Sequence, residues 1–196
     1  METFISMYTK MFFLLAPFFC TSIFLKMSES MDPHTRRRAA LRASFATLTA
    51  ITICFFFGKP LFNVLGITLA AFQIGAGATL FLTSVMLVLG IRGQSISSDE
   101  DFSVVPLSLP IIVGPGTIGT LMIWATQASD FKEQLKDFVP IFCGGLTMAF
   151  FLLLAEQIQR ILGPKIMTVL TKLTALILTA LAAQIVFTGI HGFSAE

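Results

Sequence analysis

The densest chemistry in the chain lies between Val105 and Thr117, where Pro106, Pro110 and Pro115 are interleaved with Gly114, Gly116 and the hydroxyls of Ser108 and Thr117. The segment is otherwise apolar enough to cross a bilayer. Proline removes an N–H donor and clashes with the preceding helical turn. Gly116 reaches backbone conformations closed to other residues. Irregular backbone survives at membrane depth only when it is buried in protein or lines a wet cavity. This pattern therefore predicts a helix broken near Gly114–Gly116, with freed backbone groups facing the interior, against the plainer alternative of a packing kink. A second break is expected at Pro17, within Ala16-Pro17-Phe18-Phe19. The chemistry implied is ligand binding by backbone groups and uncharged side chains.

Other polar groups inside apolar sequence are few. Gln73 is equally consistent with substrate contact and with an interhelical hydrogen bond, worth roughly 0.6–2 kcal/mol in membranes. Gln184 reads as packing. Thr171, Ala175, Thr179 and Ala183 recur every four residues, as do Ala71, Gly75 and Thr79, with Gly77 nearby. Small residues at that spacing let helices approach closely, so both stripes are expected at helix–helix interfaces.

Several chemistries are disfavoured. Glu2, Glu29, Asp32, Asp99, Glu100, Asp101, Asp130, Glu133, Asp137, Glu156 and Glu196 all fall in expected loops, tails or helix ends. A proton relay of membrane carboxylates is thus not expected. No Ser–His pair, metal-ligand set or carboxylate dyad lies within the spans, so the chain is not expected to be an enzyme or to hold a cofactor. Cys20, Cys54 and Cys143 sit in apolar runs without metal or disulfide spacing. A net charge of +2 gives no reason to expect nucleic acid. Coupling to Na⁺ or H⁺ stays open; a Na⁺ site would need carbonyls and hydroxyls at the broken helices.

The elements that must position these residues follow from composition. The chain is 55% hydrophobic and 12% charged, against roughly 25% charged in soluble domains. Mean hydropathy is +0.86. Six apolar runs occur at about 7–25, 39–57, 66–90, 104–125, 138–156 and 166–190, each near the ~20 residues that a spanning helix needs. The first lacks the basic start and A-x-A-like end of a cleaved signal. Asp32-Pro33-His34 and Gly163-Pro164 read as turns, and Gly58–Leu65 and Gln157–Lys165 as loops. The expected fold is all-α, a single membrane domain over 1–196 with six transmembrane helices. Nine of the 13 basic residues fall on the side of loops one, three and five. That side is then cytoplasmic and both termini lie outside. The Arg36–Arg42 cluster supplies most of this bias.

Three short matches at nearly one offset predict that one half of the chain repeats the other. Pro17 and Pro115 are 98 residues apart in a chain of 196. Val64-Leu65-Gly66-Ile67 pairs with Ile161-Leu162-Gly163-Pro164 at an offset of 97, and Phe72-Gln73-Ile74 with Thr171-Lys172-Leu173 at 99. Two three-helix halves, about 1–98 and 99–196, must enter the membrane from opposite sides. Inverted repeats of this kind are common in secondary transporters, with broken helices 1 and 4 meeting near the midplane.

The Pro106-Leu107…Pro110…Gly114-Pro115-Gly116 stretch resembles the P-L-x-x-P-x-x-x-G-P-G pattern of the MarC family of bacterial integral membrane proteins. Arg36-Arg37-Arg38-Ala39, Phe62…Gly66-Ile67…Ala71-Phe72-Gln73-Ile74-Gly75-Ala76-Gly77 and Ala183-Gln184-Ile185-Val186…Gly189-Ile190 extend the resemblance along nearly the whole chain. It implies a multi-pass protein of the bacterial cytoplasmic (inner) membrane, and some members look like transporters of small neutral amino acids. The sequence departs from the pattern at one point. Many relatives read Asp/Asn-Pro-Leu-Gly where Ala16-Pro17-Phe18-Phe19 stands, and often Arg where Gln73 stands. A role of that polar residue in binding substrate or ion cannot pass to Ala16.

These observations imply a transporter or exporter of small neutral solutes such as amino acids. The alternative is a non-transporting membrane scaffold or partner-binding protein. The partners expected are the lipid bilayer and a small neutral solute, and a homo-oligomer is compatible with the composition.

Overall fold

The computed structural model describes residues 4–29, 31–90, 113–128 and 130–194. Every regular element among them is helical. The first apolar run forms two helices, α1 (Phe4–Leu14) and α2 (Pro17–Met27), separated at Leu15–Ala16. Ala16 takes the left-handed conformation, φ 44° and ψ 59°, with no side-chain cap, and Pro17 opens α2. Helix α3 (Pro33–Leu65) starts at Asp32, whose carboxylate accepts hydrogen bonds from the amides of His34 at 3.1 Å and Thr35 at 3.0 Å. Its first turn tolerates Pro33 because that N–H has no helical partner. Helix α4 (Leu69–Leu89) starts from Thr68, which accepts from the Ala71 amide at 3.2 Å. Helices α3 and α4 both end on glycines with positive φ, Gly66 and Gly90, as helix ends commonly do. Helices α5 (Pro115–Gln127), α6 (Phe131–Leu153) and α7 (Ala155–Ser194) complete the chain.

Two expected loops are helical. Residues 58–65 continue α3 through Pro60 to Leu65, because the apolar stretch beyond the proline sustains the helix until Gly66 stops it. Residues 157–165 belong to α7, where Gly163 (φ 74°, ψ 160°) makes a kink before Pro164. A residue before proline avoids helical ψ, and glycine absorbs the departure. At 33 residues and about 1.5 Å per residue, α3 is about 50 Å long. That exceeds a ~30 Å hydrocarbon core, so an end of α3 emerges into the interface.

Five helical stretches are long and apolar enough to cross a membrane among the described residues, counting α1 and α2 together. The fourth run is described only from Val113 onward, and the remainder of it, with Ser108 and Pro110, lies outside the described residues.

Packing pairs helices across the chain. Helix α4 runs antiparallel to α7. A Cβ at Gly77 would lie 2.7 Å from Val186 Cγ2 and 3.1 Å from the Ala182 carbonyl oxygen. One at Gly189 would lie 2.8 Å from the Ala70 carbonyl oxygen. Further along, the Thr179 hydroxyl donates to the Ser84 hydroxyl at 2.9 Å. Helix α3 meets α6 through Gly145 against Leu48 and Ile51, and through Phe55 and Phe56 against Phe138. Helix α5 lies on α4, with Gly116 against Leu80 and Gly119 against Ala76. Helix α1 meets α6 where Met11 covers Gly144.

The small-residue stripes need correction. Nothing lies within 4 Å of a Cβ built at Gly75, and Ala71 and Gly75 are exposed. The face of α4 that meets α7 carries Ala70, Gln73, Gly77 and Ser84. A four-residue repeat drifts around a helix of 3.6 residues per turn, so it does not name the buried face. On α7, Ala175 is fully buried and Thr179 bonds α4, whereas Ala183 is only half-buried.

Candidate functional site

Four helices enclose a cavity of about 110 Å³. Helix α1 contributes Lys10 and Leu14, and α4 contributes Gln73 and Leu80. Helix α5 brings Thr120, Ile123 and Trp124, and α7 brings Leu181, Gln184, Ile185 and Thr188. The cavity thus sits between elements of both halves of the chain.

Local structure explains this placement. Gln73 is buried beside Gly189; a Cβ there would lie 2.9 Å from Gln73 Cβ. Only glycine lets α7 come this close to the glutamine. Helix α5 is held against α4 by Gly116 and Gly119, which carries Thr120 and Trp124 inward. The Thr120 hydroxyl donates to the Gly116 carbonyl at 2.8 Å and keeps its oxygen lone pairs for another donor. The Thr188 hydroxyl donates likewise to the Gln184 carbonyl at 2.8 Å.

Among the described residues the lining offers one ammonium group, two carboxamides, two hydroxyls, an indole and a set of aliphatic walls. Such a set can hydrogen-bond and orient a polar solute. No group of three or more His, Cys, Asp or Glu among the described residues is placed to hold a metal ion.

The structure brings together some of the residues singled out from sequence and separates others. Gln73 and Gln184 share the cavity, so Gln184, read as packing, is an exposed cavity-wall residue. Ala16 and Pro17 are buried at the α1–α2 break but do not line the cavity. Phe18 stacks edge-on with Phe12 at 6.2 Å and Phe151 at 5.4 Å, forming a dry aromatic cluster. Gly114, Pro115, Gly116 and Thr117 form the start of α5, about one turn before Thr120. Thr117 is 5% exposed. Lys10 and Trp124 were not singled out. The signal for Lys10 is a cation within an apolar run, a position that membranes penalise. Trp124 is the chain's only tryptophan.

A polar tie joins the start of α3 to the start of α7. The Arg36 guanidinium pairs with Glu156 at the start of α7. It also donates to the Ser28 carbonyl, from Nε at 3.1 Å and from a terminal nitrogen at 2.7 Å. One side chain thereby joins the α2–α3 connection to the second half of the chain. Nearby, hydrogen bonding to Thr35 holds the Asp32 carboxyl below its ordinary value of 3.8.

Comparison with known proteins agrees with this architecture. The family model described as "MarC family integral membrane protein" matches residues 1–194. A UPF0056 membrane protein of Methanocaldococcus jannaschii is 29% identical, covering 98% of this chain and 98% of its own. A UPF0056 membrane protein of Pyrococcus horikoshii is also 29% identical, covering 97% and 96%. The UPF0056 membrane protein YhcE of Escherichia coli is 25% identical, covering 93% and 89%. No solved structure matches this chain.

Proposed function

The chain belongs to the MarC family of integral membrane proteins, and from that premise we propose that it is a secondary transporter of small neutral solutes such as amino acids. The observation that carries this reading is the cavity between α1, α4, α5 and α7, with Gln73 buried in its wall. Folds built from inverted repeats place their solute between helices of the two halves, as this cavity lies. Helix pairing supports an inverted repeat behind it. Helix α4 packs on α7, and α3 on α6. Helix α5 packs on α3 and α4, as α2 packs on α6 and α7. An exchange of halves maps this pattern onto itself.

In this reading the protein lies in the cytoplasmic membrane, with the Arg36 side inside and both termini outside. Its work is binding and moving solute rather than making bonds. If Na⁺ is the coupling ion, its ligands would be carbonyls and hydroxyls near the start of α5. The dry Phe12–Phe18–Phe151 cluster favours the second reading, a membrane scaffold with a sealed interior. Reconstitution in proteoliposomes separates the two. Saturable exchange of alanine, glycine or serine, with Na⁺ and pH gradients varied independently, is the expected result. Correctly inserted protein that moves none of a broad solute panel would overturn transport.

A further inference from the structure

We propose that the exposed face of α3 around Arg38 and Arg42 binds an anionic phospholipid. The two guanidiniums hold its phosphate, and its acyl chains lie along Phe45 and Ile53. The arginines at the start of α3 have different surroundings. Arg36 is taken up by Glu156 and by the Ser28 carbonyl. Among the described residues, Arg37, Arg38 and Arg42 are exposed and form no ion pair. Helix α3 itself holds no carboxylate along its 33 residues. Of the two acidic residues just ahead of it, Asp32 is engaged by the amides of His34 and Thr35. Glu29 lies on the Arg36 side, where its carbonyl accepts from that guanidinium at 3.4 Å.

Placement on the helix selects a lipid over a free anion. At 3.6 residues per turn, Arg38, Arg42, Phe45 and Thr49 fall within about 60° of one another. The buried Ala40, Thr47 and Ile51 point the opposite way. Arg38 and Arg42 stand one turn apart, about 6 Å along the axis. At that spacing two planar forks can each take an oxygen of the same phosphate. Below them the face is apolar and open, with Phe45 74% and Ile53 53% exposed. Ile53 lies about 16 Å past Arg42 along the axis, close to half of a ~30 Å hydrocarbon core. The face is thus one leaflet deep, with its charge at the top. A zwitterionic headgroup brings an ammonium against two guanidiniums, whereas a net-negative one does not. Orienting the chain in the membrane requires only a count of basic residues. It does not require that they line up over an exposed apolar stripe. The proposal is independent of the transport reading, because a scaffold would carry the same lipid.

Native mass spectrometry of the detergent-purified protein tests it, with titration by phosphatidylglycerol or phosphatidylcholine of identical chains. Phosphatidylglycerol should bind with a Kd about tenfold or more below that of phosphatidylcholine. Arg38→Gln and Arg42→Gln should each weaken it about fivefold, and the double variant about 30-fold, as expected for basic residues at an anionic membrane surface. Arg160→Gln/Lys165→Gln removes two exposed cations from α7 and should leave the Kd unchanged. Inorganic phosphate at the same concentration should not displace the lipid. Equal Kd for the two lipids, an unchanged Kd in the double variant, an equal loss in the α7 pair, or displacement by phosphate would each overturn the proposal. If the double variant does not insert, the two single variants still decide it.

Discussion

Replacing Ala16 tests the break in the first run most directly. Ala16 holds φ 44° and ψ 59° while 6% exposed, and it caps α2 with no side-chain hydrogen bond. The left-handed region costs a residue with a Cβ about 1–2 kcal/mol. Ala16→Gly removes that cost without adding an atom, but gives back about 0.5–1 kcal/mol in chain entropy. The net gain is about 0–1.5 kcal/mol, or a Tm rise of up to about 6 °C for a chain of this size. Ala16→Asn should gain at least as much. Asparagine tolerates left-handed backbone, and its side-chain oxygen has the free amides at the start of α2 as donors. Ala16→Val should lose stability, because a β-branched side chain is strained there. The assay is unfolding in detergent followed by far-UV circular dichroism. A valine variant as stable as the alanine protein, or a glycine variant that is less stable, would refute the left-handed break.

Other substitutions probe the seams. Gly189→Ala would press a methyl on the Ala70 carbonyl and on Gln73, costing about 1–3 kcal/mol as other overpacked sites do and lowering flux; Gly75→Ala, facing open space, should leave Tm and flux nearly unchanged. A double-mutant cycle of Arg36→Gln and Glu156→Gln should give a coupling of only about 0–1 kcal/mol, since both side chains are partly exposed. The same pair should still change the flux ratio between inward and outward directions, measured in oriented vesicles. The Asp32 carboxyl is held below 3.8 by Thr35. Its cap on α3 should be complete above that value and lost as pH falls through the lower folded one. Amide exchange at His34 and Thr35 between about pH 5 and pH 2 should report this, while Asp32→Asn, an equally good cap, should abolish the pH dependence.

Much of the helical layout is legible from apolar runs, because a bilayer imposes one length on each span. Asp32-Pro33 marks a boundary for a local reason: the carboxylate and the proline both act on neighbouring amides. Pro60 misleads in the opposite way, since it stands inside a helix that flanking apolar residues sustain. Gln73 and Gln184 are legible as polar exceptions, but their meeting in one cavity depends on how α4 and α7 rotate. That rotation is set by Gly77 and Gly189, and sequence spacing alone pointed to Gly75 instead. The Arg36–Glu156 pair is invisible in sequence because 120 residues separate its members. Lys10 reaches the cavity because of which face of α1 turns inward, which its position in an apolar run does not reveal.

The seam between α4 and α7 also bears on how the protein is made. Gly189 follows Gln73 by more than a hundred residues, and a ribosome adding about 5–20 residues per second delivers it roughly 6–25 s later. During that interval the glutamine of α4 lacks the neighbour that finally encloses it. The first half of the chain is therefore an unfinished half-shell until the last helix arrives. Mutations that slow entry of α7 should expose α4 to membrane quality-control proteases, even where the finished bundle would be stable.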